Sequence, residues 1–384
     1  MPEFSQIALI YEIPEDSWQG QTDQLSSLGW QSLKLGFFIE PLRESVTLWQ
    51  AEMGVLEAKD DKPAAPGGQV LLVRYFDQES DTPVTTLAVY LPSDLQGMTF
   101  TDGDGLERNA TWQMHARRQL GRMLSGHVRK GEKGGNPFQP IGRAAHIKPG
   151  SPHSANENEA VNAASQFLRG SNTLGEKSMH WYEPDDGGTK VLGTASGFVV
   201  LSSSGRFFPA RDDQGRSSDM PSQFERFLVL QGLAYAYRQA LLAPSRWLAK
   251  GLPTVGDDIQ TSEVCYQTVR ELHDRQVQFE ARYLFSSPVE EEKAEVHGMA
   301  KYFMERNGLD HLREDLNAQL DRLQGLAQRF LAEREATRRE QEARSAARRQ
   351  RSLNWIVTIL GLALAASQTL FGWLTVGPIN EWPF

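Results

Sequence analysis

The 384-residue sequence contains one cysteine, Cys265, so no intrachain disulfide can form and nothing calls for an oxidising compartment. Cys265 is expected to pack as a small apolar side chain rather than to act as a nucleophile. Positive charge is in deficit: 40 Lys and Arg stand against 49 Asp and Glu, a formal net charge of -9. No nucleic-acid partner is expected from that balance. The opening residues MPEFSQIALIYEIPEDSW carry acids where a secretion signal needs a basic start and an apolar core, so no such signal is expected. Catalytic signatures are missing as well. The sequence has no P-loop, no Gly-x-Ser-x-Gly and no dinucleotide fingerprint, so neither enzyme chemistry nor a cofactor is expected.

Metal ligands are sparse. His146 and His153 in HIKPGSPH, with His180 as a third candidate, lie without Cys or acid at a diagnostic spacing. They are expected to be solvent-exposed, and no metal site is expected. Asp102, Asp104 and Glu107 in TDGDGLE resemble a fragment of a calcium loop. The third acid is absent and the Glu comes too early for a frame of about twelve residues, so a tight turn is expected there.

What the chain does have is one long apolar run near its carboxyl end. Leu353 to Val376 carries no charged residue. Its 24 residues would rise roughly 36 Å as a helix, against a hydrocarbon core of about 30 Å. Trp355 and Trp373 stand near the two ends, where indoles favour a membrane interface. Arg329 to Arg351, just upstream, holds eight Arg against four acids, while GPINEWPF downstream has no base. The positive-inside bias then places the amino-terminal part in the cytoplasm, the run in an inner membrane and residues 377–384 outside.

Inside this run, Asn354, Thr358, Gly361, Ala365, Gln368, Gly372 and Thr375 follow one another at steps of 4, 3, 4, 3, 4 and 3. That heptad spacing puts them on one helix face. An amide in hydrocarbon is costly unless it meets a partner or water, so Asn354 and Gln368 should face protein or a pore. Gly361 and Ala365 form a small-xxx-small pair that permits close helix approach. One span cannot satisfy such a seam, so self-association is expected, with the bilayer as the other partner. The bland alternative is a lone anchor whose few polar residues are tolerated.

Leu309, Leu312, Leu316, Leu320, Leu323, Leu326 and Phe330 recur at three- and four-residue steps, the stripe of an amphipathic helix. Nothing from Leu309 to Val376 demands a break, so one helix of roughly 68 residues and about 100 Å is expected. Below the membrane the stripe gives way to Ala336, Ala343, Ala346 and Ala347, and the Arg cluster reads as ordinary juxtamembrane charge rather than a specific lipid site. Upstream, residues 222–250 read as a heavily buried helix bent or interrupted at Pro244. Residues 257–285 read as another, with Val269, Leu272, Phe279 and Tyr283 on one face, and a shorter helix follows to about Arg306 and stops at Asn307-Gly308.

This order of parts is similar to the CorA-type divalent-cation transporters: an apolar helix, a helix ending in the aromatic cluster FEARYLF, a short helix, then a very long helix entering the membrane. The resemblance covers about residues 221–376 and rests on pattern and order. It implies a homopentamer whose long helices line a central pore beneath an α/β cytoplasmic domain. The family's Gly-Met-Asn motif is absent; the corresponding place reads FGWLTVGPIN. Only Gly377 to Phe384 follow, so one membrane helix is expected where the family has two.

In the amino-terminal half, Gln6–Ile13, Gln69–Phe76 and Val84–Leu91 read as strands, the last two as a hairpin. His180–Phe208 reads as a meander turning at Asp185–Gly188, and Asn109–Val128 as a helix. Residues 129–158, rich in Gly and Pro, read as a flexible loop.

The sequence thus predicts an α+β protein. Its parts are a cytoplasmic α/β domain (1–220), a helical stalk (221–352), a transmembrane helix (353–376) and an external tail (377–384). The expected function is a homo-oligomeric pore or permeability effector governed by its cytoplasmic domain, which would receive ions or a small ligand. Its seam is Asn354, Thr358, Gly361, Ala365, Gln368 and Gly372. The rival is a membrane-anchored binding or signalling protein with a dry helix bundle, and a third reading is an enzyme on a tether.

Overall fold

A computed structural model describes residues 3–19, 22–54, 68–76, 82–90, 113–114, 116–129, 136–148, 154–169, 181–184, 188–207, 221–251, 259–285 and 287–375. Side chains at 248–265 and 369–375 also fall outside the description. The chain divides into two compact units. One comprises 1–251 with 271–319, the other 252–270 with 320–384. The division runs through helices, and the helix after 221 packs on the sheet.

The first unit is built on a nine-stranded sheet in the order β2-β3-β4-β5-β1-β6-β9-β8-β7. The strands are β1 (Glu3–Ile13), β2 (Gln31–Ser32), β3 (Val46–Met53), β4 (Gly68–Tyr75), β5 (Val84–Tyr90), β6 (Gln139–Lys148), β7 (Trp181–Tyr182), β8 (Lys190–Thr194) and β9 (Gly197–Leu201). Neighbouring strands run antiparallel, except that β6 and β9 are parallel. β4 and β5 form the expected antiparallel pair, from Val70 opposite Val89 to Tyr75 opposite Val84. All seven residues of β5 are buried, as a strand covered on both faces requires.

Helices supply both covers. On one face Ile7, Leu9, Leu72, Leu87, Val89, Ala145 and Val199 pack with Ala116, Leu120 and Leu124 of α2 (116–123 and the turn after it) and with Ala160, Ala164 and Phe167 of α3 (Ser154–Arg169). The six-residue α1 (Glu40–Ser45) leads directly into β3. On the other face lie α4 (Gln223–Gly251) and α6 (Ala294–Arg306). Tyr75 donates its hydroxyl to the Val229 carbonyl at 2.8 Å, and Tyr302 accepts the Gly193 amide at 2.8 Å. Phe198 sits 5.6 Å from Phe224 and 5.3 Å from Phe303. On β9, Phe198 thus faces away from its neighbour Val199, which packs in the other layer, as the two-residue pleat demands.

α4 opens with a capping box: the Ser222 amide donates to the Glu225 carboxylate at 2.6 Å, and the Glu225 amide to Oγ of Ser222 at 3.3 Å. It runs unbroken through Pro244, so the interruption considered from sequence does not occur. α5 (Ile259–Tyr283) buries Val269, Leu272 and Tyr283 as its periodicity required. α6 ends at Asn307 and Gly308, the latter at φ 65°, the left-handed stop that glycine favours.

Two sequence expectations are corrected. Residues 129–158 are not a loop throughout: Gln139–Lys148 is a central strand paired on both edges, and α3 starts at Ser154. The Gly and Pro content hid a buried AAHI segment, and Gly142 is needed where the backbone of Ser196 passes too close for any Cβ. The second correction follows from the first. His146 is fully buried, not solvent-exposed. The structure also adds β3, which no sequence signal had marked as a strand. The turn at Asp185–Gly187, residues 92–112 with TDGDGLE, His153 and His180, and the Cys265 side chain lie outside the described residues.

Candidate functional site

α7 runs from Leu309 to Thr375 as one 67-residue helix, the length that its unbroken run of good helix formers allows. Its apolar stripe begins buried, with Leu309, Leu316 and Leu320 covered, and fades to Leu326 at 51 % exposure. Beyond it the surface is ionic. Arg338–Glu342, Arg339–Glu335 and Arg344–Glu340 pair at 2.9, 3.2 and 2.5 Å, each one turn apart. Fully solvated pairs of this kind contribute about 0.3–0.5 kcal/mol each.

The surface then changes character abruptly. Leu353, Trp355, Ile356, Val357, Ile359, Leu360, Leu362 and Leu364 are 50–69 % exposed. Contiguous apolar exposure on this scale marks a surface that another phase or another chain covers. Asn354, Thr358, Gly361, Ala365 and Gln368 are likewise exposed along their shared face, while the side chain at Gly372 is outside the description. Thr358 Oγ1 donates to the Asn354 carbonyl at 2.7 Å, and nothing lies within 4 Å of a Cβ built on Gly361. Among the described residues no helix is long and apolar enough to cross a membrane. The described side chains end at Gln368, part-way along the uncharged run that the sequence continues to Val376.

The folded first unit holds a second feature that the sequence reading did not single out, a cavity of about 300 Å³ between α4 and α5. Ala240, Ala243 and Pro244 line it from α4, and Leu272, Phe279 and Tyr283 from α5. Trp247, Arg275, Gln278 and Arg282 also line it and are exposed. The signal was present: 272, 276, 279 and 283 follow one helical stripe, and 275, 278 and 282 follow the stripe beside it. Gln276 donates to Glu280 at 2.9 Å, and Glu280 in turn accepts from Arg313 on α7 at 2.7 Å.

Buried polar groups elsewhere serve the fold. Because the Ser202 carbonyl can only accept, His146 carries its proton on Nε2, which donates to that carbonyl at 2.9 Å. Nδ1 then accepts from the Ser5 hydroxyl at 2.6 Å. Burial holds the His146 imidazole down at about 4, the backbone bond to Ser202 offsetting part of the effect. Both ring nitrogens are engaged, so this histidine is no metal ligand. Among the described residues no group of three His, Cys, Asp or Glu could hold a metal. Arg74 donates to both carboxylate oxygens of Glu15 at 3.0 Å and lies 5.3 Å over Trp18. Glu225 is raised above the ordinary carboxyl range, by burial first, with the Ser222 bonds and Arg226 pulling the other way.

The fold and these features define an α+β protein, a nine-stranded sheet followed by helices that end in one long helix with an exposed apolar segment. No family model, no curated protein and no solved structure matches the chain.

Proposed function

We propose that the protein is a homo-oligomeric inner-membrane protein of CorA-like architecture. Its terminal helices would associate along Asn354, Thr358, Gly361, Ala365, Gln368 and Gly372 to form a pore or permeability path, controlled by the α+β domain in the cytoplasm. One observation carries the reading: from Leu353 to Leu364 the large apolar side chains of α7 stand half or more exposed. Lipid is the phase that covers such a surface without cost, and the polar seam among them calls for copies of the same helix. The Arg-rich stretch before the run supports a cytoplasmic origin for the helix.

The test is reconstitution of the full chain in liposomes, with its mass measured in a mild surfactant. Ion flux together with a defined higher oligomer is the expected result. A particle with the mass of one subunit would overturn the reading.

A second reading, a membrane-anchored binding or signalling protein with a dry bundle, is favoured by the bond from Thr358 to Asn354. That hydroxyl is satisfied within its own helix and needs no water. Cysteines placed along the seam separate the two. Labelling by a water-soluble maleimide follows a wet pore, and protection at every position follows a dry bundle.

A further inference from the structure

The seam of α7 continues below the apolar run. Counted back from Asn354 in the same alternating steps of 3 and 4, the face holds Arg351, Ala347, Arg344 and Glu340, all on one unbroken helix. Glu340 and Arg344 pair at 2.5 Å, so their charges cancel. Arg351 does not pair. It is exposed and takes part in no ion pair among the described residues, and no acid stands three or four residues from it.

The surroundings are charged in one sense only. Residues 343–380 contain no Asp or Glu, and Arg344, Arg348, Arg349 and Arg351 are their only charged residues. Of the acids just upstream, Glu342 is held by Arg338 and Glu335 by Arg339. The next acid on the seam face is Glu333, roughly 27 Å lower along the helix and well beyond a Debye length of about 8 Å.

The arginines differ in placement. At about 100° per residue, Arg349 lies roughly 160° from the centre of the seam and Arg348 roughly 100°. Those two belong to the outer surface of any assembly built on the seam, whereas Arg351 stands less than a turn from Asn354 on the inner face. Helices that gather along this face therefore bring one Arg351 from every copy to the start of the apolar run. Guanidinium groups ringed without counter-charge repel one another, and a diffusible anion in the opening relieves that repulsion. Rings of Arg or Lys admit anions to pores as rings of Asp or Glu admit cations. Further in, the amides of Asn354 and Gln368 carry both donors and acceptors and can solvate either sign. The charge at the entrance decides.

Resting on the pore reading above, we propose that the seam conducts small inorganic anions, with Arg351 selecting them at the cytoplasmic entrance. A divalent cation, the cargo that the resemblance to CorA-type transporters implies, would meet a positive ring and no carboxylate between residues 343 and 380.

Planar-bilayer recording of the full chain in unequal KCl on the two sides tests this, with particle mass measured in a mild surfactant before reconstitution. The reversal potential gives the permeability of chloride relative to potassium, expected to favour chloride by roughly tenfold. Arg351→Glu should invert the preference, Arg351→Gln should bring the ratio close to unity and Arg351→Lys should preserve it. Arg349→Glu changes the charge as much as Arg351→Glu but on the outer surface, and should leave the ratio near wild type. A wild-type current that favours potassium, or neither ion, overturns the proposal. So does an Arg351→Glu variant of wild-type mass that still prefers chloride, or an Arg349→Glu variant that loses the preference as fully. Failure of the pore reading looks different: a particle of one subunit, or an oligomer that carries no current, removes the path itself and the proposal with it.

Discussion

The Thr358 hydroxyl gives its hydrogen to the Asn354 carbonyl across 2.7 Å, so of the polar groups on the seam this one is already satisfied. Among the described residues no such bond reaches the side-chain amides of Asn354 and Gln368. Thr358→Val is therefore expected to leave oligomer mass and conductance close to wild type. Asn354→Leu and Gln368→Leu should reduce conductance, and the pair together should shift the particle in mild surfactant toward a smaller mass. Single-channel recording and mass measurement on the three variants check this ordering.

Two glycines make opposite demands. A Cβ on Gly142 would lie 1.6 Å from the Ser196 carbonyl oxygen, beside the contact in which Arg143 donates to that same carbonyl at 3.0 Å. Gly142→Ala should destabilise the sheet by about 3 kcal/mol or more, because backbone on both strands must move. A Cβ on Gly361 meets nothing within the chain. Gly361→Leu should leave unfolding of the α+β domain unchanged while weakening association, which denaturant titration and mass measurement read separately.

His146 makes stability depend on pH. Its folded value, about 4, lies below the ordinary imidazole value of 6.5, so the unfolded chain takes the proton first. The contribution is fully present above pH 6.5 and is lost as pH falls toward 4, by about 3 kcal/mol in all. His146→Gln should flatten this part of the profile, as urea midpoints measured across that range would show.

The capping box of α4 carries a buried carboxylate at a desolvation penalty. Since Glu225 is raised in the fold, its ionisation on going to neutral pH weakens the folded state. Glu225→Gln keeps an acceptor for the Ser222 amide without the charge, so at neutral pH it should be as stable as wild type or more so. Ser222→Ala removes the acceptor for the Glu225 amide and should cost about 1 kcal/mol. Thermal unfolding of the two variants distinguishes them.

Much of the fold was legible because local periodicity survives in it. β1, β4 and β5 begin and end within a few residues of the expected strands, and α7 spans Leu309–Thr375 where the pattern gave 309–376. β6 was not legible. Its AAHI core is short, and Gly142 and Pro140 disguise it. Its place between β1 and β9 rests on pairings with residues far away in sequence. His146 went wrong for the same reason, since a residue takes the burial of its strand. The cavity escaped notice because neither helix forms it alone: Trp247 on α4 and Arg275 on α5 meet at one opening only when the helices pack.

The order of residues alone determined strands β1, β4 and β5, the helices that follow residue 221, the length of α7 and the concentration of uncharged side chains after Arg351, because these depend on near neighbours and on composition. Tertiary structure alone decided that the sheet has nine strands with one parallel junction, that both its faces are covered, and that His146 is sealed inside. Those outcomes arise when distant segments exclude water together, and no short window of sequence contains both partners.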